Sequence, residues 1–393
     1  MTPKLFLDRV LNGAAVGIVV GLIPNAITGE LFRFLAATFP GIDLFTTLAQ
    51  VVMGLQFTVP VIVGILIGMQ FGMTSVQTVI VGTASFVGSG AMQFDDAGVM
   101  LVGIGDLINT MITASIAVIV LSWVGGRLGS LTVLFLPLIG GGVSGLLGIL
   151  LLPYVRYITT GIGALVNAIA EHPSLGIVAS VLIAMIFAIM IVSPISTVGV
   201  ALAIGITGAA SGAANVGIAA AAAVLMVGSF RVNNSGVTWS VFLGAMKMMM
   251  GNIIRHPIMA LPLALAAGIA GLIGGLVGIT GTPASAGFGH SGLVGPIAAA
   301  QGLDMSPVFL LVTLAVVYFV IPIGVAVLLH WLLAYKLKVY SPQIFAFAAQ
   351  GAPVTTGAAD KTLDHDEPAQ GESHHAASAA DRGGSRAVPA GDR

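Results

Sequence analysis

Two short stretches gather hydroxyl and imidazole groups inside an otherwise apolar chain. The first is Gly281-Thr282-Pro283-Ala284-Ser285-Ala286-Gly287-Phe288-Gly289-His290-Ser291-Gly292, with Thr282, Ser285, His290 and Ser291 set among glycines. A weaker copy, Gly82-Thr83-Ala84-Ser85-Phe86-Val87-Gly88-Ser89-Gly90, offers Thr83 and Ser85. Both read Gly-Thr-x-x-x-x-Gly-x-Gly. Donors and acceptors without fixed charge suit the hydroxyls of a polar solute rather than bond-breaking. Non-helical backbone at membrane depth is tolerated only where protein or a water-filled cavity covers it. The two loops are therefore expected to face each other across a substrate path.

Ser193-Pro194-Ile195-Ser196-Thr197 interrupts a third apolar run. Pro194 removes a backbone donor and disturbs the carbonyl one turn back. Ser193, Ser196 and Thr197 could either satisfy that break locally or contact a ligand. Lys247, Asn252, Arg255 and His256 follow in a methionine-rich run, with Lys247, Gly251 and Arg255 on one helical face. Ionisable groups within a membrane segment default to functional hypotheses; the plain alternative is an interfacial helix whose cations snorkel. Gln70, Gln77, Gln93, Asp95, Asp96, Asp106 and Asn109 supply the polar content of the first half. Asp95 and Asp96 fit the aqueous end of a hairpin. Asp106 and Asp304 fit N-caps of the spans that follow them.

Several chemistries are excluded. The 393 residues include no cysteine, so there is no disulfide, thiolate metal site or cysteine nucleophile. No P-loop is present, the histidines are scattered, and nothing pairs a nucleophile with a base. No cofactor and no metal are expected. A net charge of −1 without a basic stripe points away from nucleic acid.

The elements that must position these groups are membrane spans. Only 7% of residues are charged and the mean hydropathy is +1.07, against roughly 25% charged residues in soluble domains. Apolar runs fall near 10–37, 46–69, 76–94, 99–124, 131–152, 174–193, 196–228, 237–255, 258–279, 281–300 and 307–334. A span needs about 20 apolar residues, so the short, glycine-broken 76–94 and 281–300 runs are expected to be re-entrant hairpins. Leu152 to His172, with Arg156, Asn167 and Glu171, reads as an interfacial amphipathic helix. The fold class is an all-α polytopic membrane protein of roughly 8–10 transmembrane helices plus two re-entrant hairpins. Residues 1–340 form the membrane domain, and 341–393 a disordered cytoplasmic tail rich in Ala, Gly, Asp, His and Ser.

Matches recur at offsets of 197 to 200 residues. Gly13-Ala14-Ala15 resembles Gly212-Ala213-Ala214, Met53-Gly54 before Pro60 resembles Met250-Gly251 before Pro257, and Asp106 matches Asp304. With the Gly-Thr loops they predict repeat halves of about 10–125 and 207–335. The charge bias puts the N-terminus, Arg156, Arg231, Lys336 and Lys338 on the cytoplasmic side, with Arg33 and Arg127 outside. With both Gly-Thr segments re-entrant and 237–279 crossing once, five crossings separate the copies and the repeats are inverted. Two separate spans at 237–255 and 258–279 would leave their relation open.

The Ser193-to-Thr197 stretch, Asn252 to Pro257, and Gly281-Thr282-Pro283 through Gly289 to Gly295-Pro296 resemble the membrane IIC component of bacterial phosphotransferase-system sugar permeases. The resemblance is to the type-2 branch that includes perfringolysin-regulator-like membrane proteins, and it covers about residues 5 to 340. It implies a multi-pass inner-membrane permease, a homodimer handling a sugar, with no catalysis of its own; the charge bias puts both termini on the cytoplasmic side. Phosphoryl transfer would need separate IIA and IIB proteins, because this chain has no phosphoryl-acceptor cysteine. Gly278-Ile279-Thr280 is followed by Gly281, where glucose-type IIC proteins carry a glutamate. The resulting expectation is a permease that binds its solute through Thr282, Ser285, His290, Ser193, Ser196, Thr197, Asn252, Thr83 and Ser85, and works by alternating access. A non-transporting sensor of the same fold and an ion-coupled transporter are the alternatives.

Overall fold

The computed structural model describes residues 1–95, 98–125 and 127–347. It opens with a long helix α1 (Pro3–Thr38), the bent pair α2 (Asp43–Phe57) and α3 (Val59–Gln70), and α4 (Ser75–Gly88). A β-hairpin follows, β1 (Met92–Asp95) antiparallel to β2 (Gly98–Leu101), and then α5 (Leu107–Val124). The short α6 (Thr132–Leu136) leads through a π-helical turn into α7 (Ser144–Ala170). Next come α8 (Ile177–Val192), α9 (Thr197–Ile204), α10 (Gly208–Ser229), α11 (Ser235–Leu243), α12 (Met250–Arg255) and α13 (Ala260–Val277). The chain closes with α14 (Pro283–Phe288), α15 (Val294–Gly302), α16 (Pro307–Ala315) and α17 (Ile321–His330).

Among the described residues, six helical stretches are long and apolar enough to cross a membrane, and eight if each bent pair counts as one. The α2–α3 pair bends by 43°, and the break after α11 by 117°. This is an all-α polytopic membrane protein. Its helices associate where small residues let backbones approach, as expected when lipid offers no hydrophobic drive. On α1, a methyl group at Gly13 or Gly17 would lie 2.7 or 2.6 Å from the Cα of Ile67 or Val63 on α3. The second seam centres on α10, whose run Ala219 to Ala223 is fully buried. That helix is small-sided all round because α8, α13 and α17 surround it.

Four features depart from the sequence reading. Gly82 to Gly88 lies inside α4, not in a loop. The reason is local: Thr74 and Gln77 close a capping box that starts the helix, and Gly82 then seats against Gly64 of α3. Arg156 and its neighbours belong to α7, part of a continuous apolar stretch from Leu134 to Ala170. Gly145, Gly148 and Gly163 pack that helix along its length on Val87, Thr113 and Ile204, which removes the interfacial helix. Lys247 and Arg255 do not share a face, since a 3-10 turn (Met246–Met249) precedes α12. Finally, residues 341–347 are docked rather than tail: Phe345 is fully buried, and Asn252 Nδ2 donates to the carbonyls of Ile344 and Ala346 at 2.8 and 2.7 Å. The remainder of the expected tail, 348–393, lies outside the described residues, as does Asp96.

Candidate functional site

A cavity of about 520 Å³ opens where several interrupted elements meet. Its walls come from α1 (Ile18 to Ile23), Gln56 of α2, the β-hairpin exit with the start of α5, Arg156, Thr159 and Thr160 of α7, the α8–α9 break, Lys247, and Gly287, Phe288 and Ser291. Each polar group is held there for a local reason.

Pro194 lacks an N–H, and the helix ends at Ser193, whose backbone turns extended (ψ 172°). Ser193 Oγ donates to the Met190 carbonyl and accepts from the Ile195 N–H, so this hydroxyl repairs the break. The freed carbonyls of Ser193 and Ile195 then accept from Lys247 Nζ at 2.7 and 2.8 Å. A buried ammonium is tolerable only with such partners. It can reach them because Gly244, at φ 153°, turns the chain between α11 and the 3-10 turn. Ser196 restarts the helix as the N-cap of α9, its Oγ accepting from Gly199 N–H at 3.0 Å. Thr197 Oγ1 donates to the Gly287 carbonyl at 2.8 Å and so joins the two breaks.

The Gly281–Gly292 stretch is a broken hairpin. Gly208 and Gly281 exchange two backbone hydrogen bonds at 3.0 Å. Thr282 and Ser285 form a capping box for α14, which ends after six residues at Gly289 (φ 64°). Behind it lies a fully buried polar chain. Tyr318 donates to Asn215 Oδ1 at 2.6 Å, Asn215 Nδ2 donates to Ser285 Oγ at 3.4 Å, and Ser211 donates to the Thr282 carbonyl at 2.6 Å. His290 Nε2–H donates to the Phe242 carbonyl at 2.7 Å, which fixes its tautomer, and the ring packs on Phe242 and Phe319. Ser291 Oγ is buried at the cavity without a hydrogen-bond partner among the described residues.

In the first half, Asp106 caps α5 by accepting from Asn109 N–H at 2.9 Å, as its position before a long apolar run predicts. Its other oxygen accepts from Thr159 Oγ1 at 3.4 Å. Asp304 has no such part: Ser306 is the residue before α16, and it makes no side-chain cap. Gln56 accepts from Asn25 Nδ2.

Of the nine residues expected to meet the solute, Ser196 and Thr197 line the cavity. Ser193 stands beside it and contributes its carbonyl to Lys247. Thr282, Ser285 and His290 are outside the lining and belong to the networks just described. Asn252 holds the C-terminal segment. Thr83 and Ser85 bond carbonyls of their own helix, Ile80 at 3.0 Å and Val81 at 2.7 Å. Gln56, Arg156, Thr159, Thr160 and Ser291 join the lining instead. Arg156, Thr159 and Thr160 share one face at i, i+3 and i+4, a signal readable once the segment is taken as a spanning helix.

Among the described residues, no group of three or more His, Asp or Glu side chains is placed to hold a metal. No curated protein and no solved structure matches this chain. A family model described as "Phosphotransferase system, EIIC" does, over residues 8–347. It names no branch within the family. Because the match spans nearly all of the described chain, this protein belongs to the phosphotransferase-system EIIC family, the sugar-specific, permease-type membrane components of that system.

Proposed function

We propose that the cavity bounded by the α8–α9 break, the α14 break and the cap of α5 binds one sugar and passes it across the bacterial inner membrane by alternating access. The observation that carries this reading is the make-up of the cavity. Two interrupted helices, an amide, hydroxyls and charged groups converge on a space within the range of about 300–1,000 Å³ typical of small-molecule sites. Broken helices at a central site are how many transporters present backbone groups to solutes. Ser196, Thr197, Ser291 and Gln56 are the proposed contacts. Ser193, Thr282, Ser285 and His290 act by fixing the two breaks, and Asn252, Thr83 and Ser85 by holding the helices around them.

On this reading the halves of about 10–125 and 207–335 are repeats that move against each other. The protein works as a homodimer with both termini cytoplasmic, and receives phosphoryl groups through separate IIA and IIB proteins. The test is uptake of labelled neutral and anionic sugars into proteoliposomes, with and without a phosphorylated IIB partner. Saturable uptake, accelerated or trapped by the phosphoryl donor, is expected. A protein that shows a cooperative thermal transition yet takes up no sugar under either condition would refute the permease reading.

A further inference from the structure

We propose that the solute carries an oxyanion, a carboxylate or a phosphate on a sugar, and that Arg156 selects it. The inference rests on the sugar-permease reading above and narrows its substrate class.

Arg156 sits near the middle of the apolar stretch from Leu134 to Ala170 and is exposed on the cavity wall. A cation at such a position is expensive and is normally paired. This one is not: among the described residues, no carboxylate lies within ion-pair distance of its guanidinium, and the guanidinium makes no hydrogen bond. The other charged groups of the cavity are already engaged. Lys247 is held by two backbone carbonyls, and the Asp106 carboxylate by Asn109 N–H and the Thr159 hydroxyl. Two cations therefore face one carboxylate across the lining, and the one free to receive a ligand is an arginine.

Two further features point the same way. The eight-residue helix α9 begins in the wall with Ser196, Thr197, Val198 and Gly199 all lining the cavity. Apart from the Gly199 N–H, which donates to Ser196 Oγ, its first N–H groups lack intrahelical partners, and its dipole favours negative charge there. Gly90, with φ 72°, makes room for the arginine: a methyl group there would lie 2.8 Å from Arg156 Nη2 and 2.5 Å from Leu152 Cδ2. A guanidinium presents a planar fork that matches a carboxylate or phosphate in two parallel hydrogen bonds. A neutral sugar would leave that fork partly desolvated and unpaired; an oxyanion would complete it.

The test is calorimetric titration of the purified full-length protein with a hexuronate, a hexose 6-phosphate and a neutral hexose, repeated on R156K and R156Q. The wild type should bind at least one anionic sugar about tenfold or more tightly than the hexose. R156Q should erase that preference, and R156K should keep part of it. Preference for the hexuronate would assign a carboxylate solute, and preference for the hexose phosphate alone a phosphorylated one. Equal affinity of the wild type for all three, or a preference that survives R156Q, would overturn the inference and leave the permease reading standing. Failure of all three to bind a folded protein would sink the permease reading, and this inference with it. Should R156Q not fold, the wild type still decides the matter. Raising the salt concentration must weaken the anionic sugar and spare the hexose.

Discussion

The two halves open alike and then part. In the first, Gly13 of α1 meets the backbone of Ile67 near the end of α3; in the second, Gly212 of α10 meets the backbone of Ile279 just after α13. Each seam is followed by a threonine that closes a capping box, Thr74 with Gln77 and Thr282 with Ser285. Each short helix so begun is tied by a buried asparagine. Asn109 Nδ2 donates to the Gly88 carbonyl at 2.5 Å, and Asn215 Nδ2 to Ser285 at 3.4 Å. After that the halves diverge. Helix α4 runs unbroken for 14 residues with the Thr83 and Ser85 hydroxyls bonded internally, whereas α14 stops after six. The early stop brings Gly287, Phe288 and Ser291 to the cavity; the first half reaches it with Gly90, the β-hairpin exit and Asp106 instead. Two similar openings thus lead to a broken hairpin on one side and a capped span on the other, and the polar site lies between two unlike walls.

The seams offer the largest effects. A methyl group at Gly212 would stand 2.0 Å from the Ile279 carbonyl oxygen, against 2.7 Å from the Ile67 backbone for Gly13. Overpacking against backbone costs about 1–3 kcal/mol and occasionally more. G212A should therefore lower the thermal midpoint more than G13A, and G54A, with nothing near it, should leave it unchanged. Equal tolerance of all three would break the comparison. The asparagines come next. N215L strands the Tyr318 hydroxyl and N109L the Gly88 carbonyl, each a loss of about 1–3 kcal/mol. Comparable midpoint shifts for the two would sharpen the parallel, whereas a neutral N215L would leave the buried chain behind α14 without a structural role.

Much of this was legible in the sequence, and the rest was hidden for identifiable reasons. Composition set the class, Pro194 marked the α8–α9 break, and Asp106 announced its helix. The Gly-Thr-x-x-x-x-Gly-x-Gly likeness misled in the first half, because glycine and threonine are compatible with a tightly packed helix as well as with a loop. Thr74, like Thr282, closes a capping box, whereas Thr83 bonds a carbonyl of its own helix, and only the capping partners reveal it. The β-hairpin was hidden inside two apolar runs, although Asp-Ala-Gly between alternating residues is a turn signal. Arg156 counted as an interfacial charge on the cytoplasmic side; on the cavity wall it no longer bears on which side is cytoplasmic. Which hydroxyls face the cavity depended on tertiary contacts between residues far apart, such as Thr197 with Gly287, and no local pattern encodes that.

The central claim is that the solute sits between the two breaks, beside Ser196, and not among the hydroxyls of α4. Because the chain has no cysteine, single introduced thiols report directly. S196C and S85C should be exposed, in membranes, to a small aqueous thiol reagent with and without the sugar that binds. The account predicts that S196C is labelled and that the sugar slows its labelling severalfold, while S85C, at a position fully buried between helices, stays unlabelled in both conditions. Labelling of S85C that the sugar blocks, with S196C indifferent to it, would contradict the account.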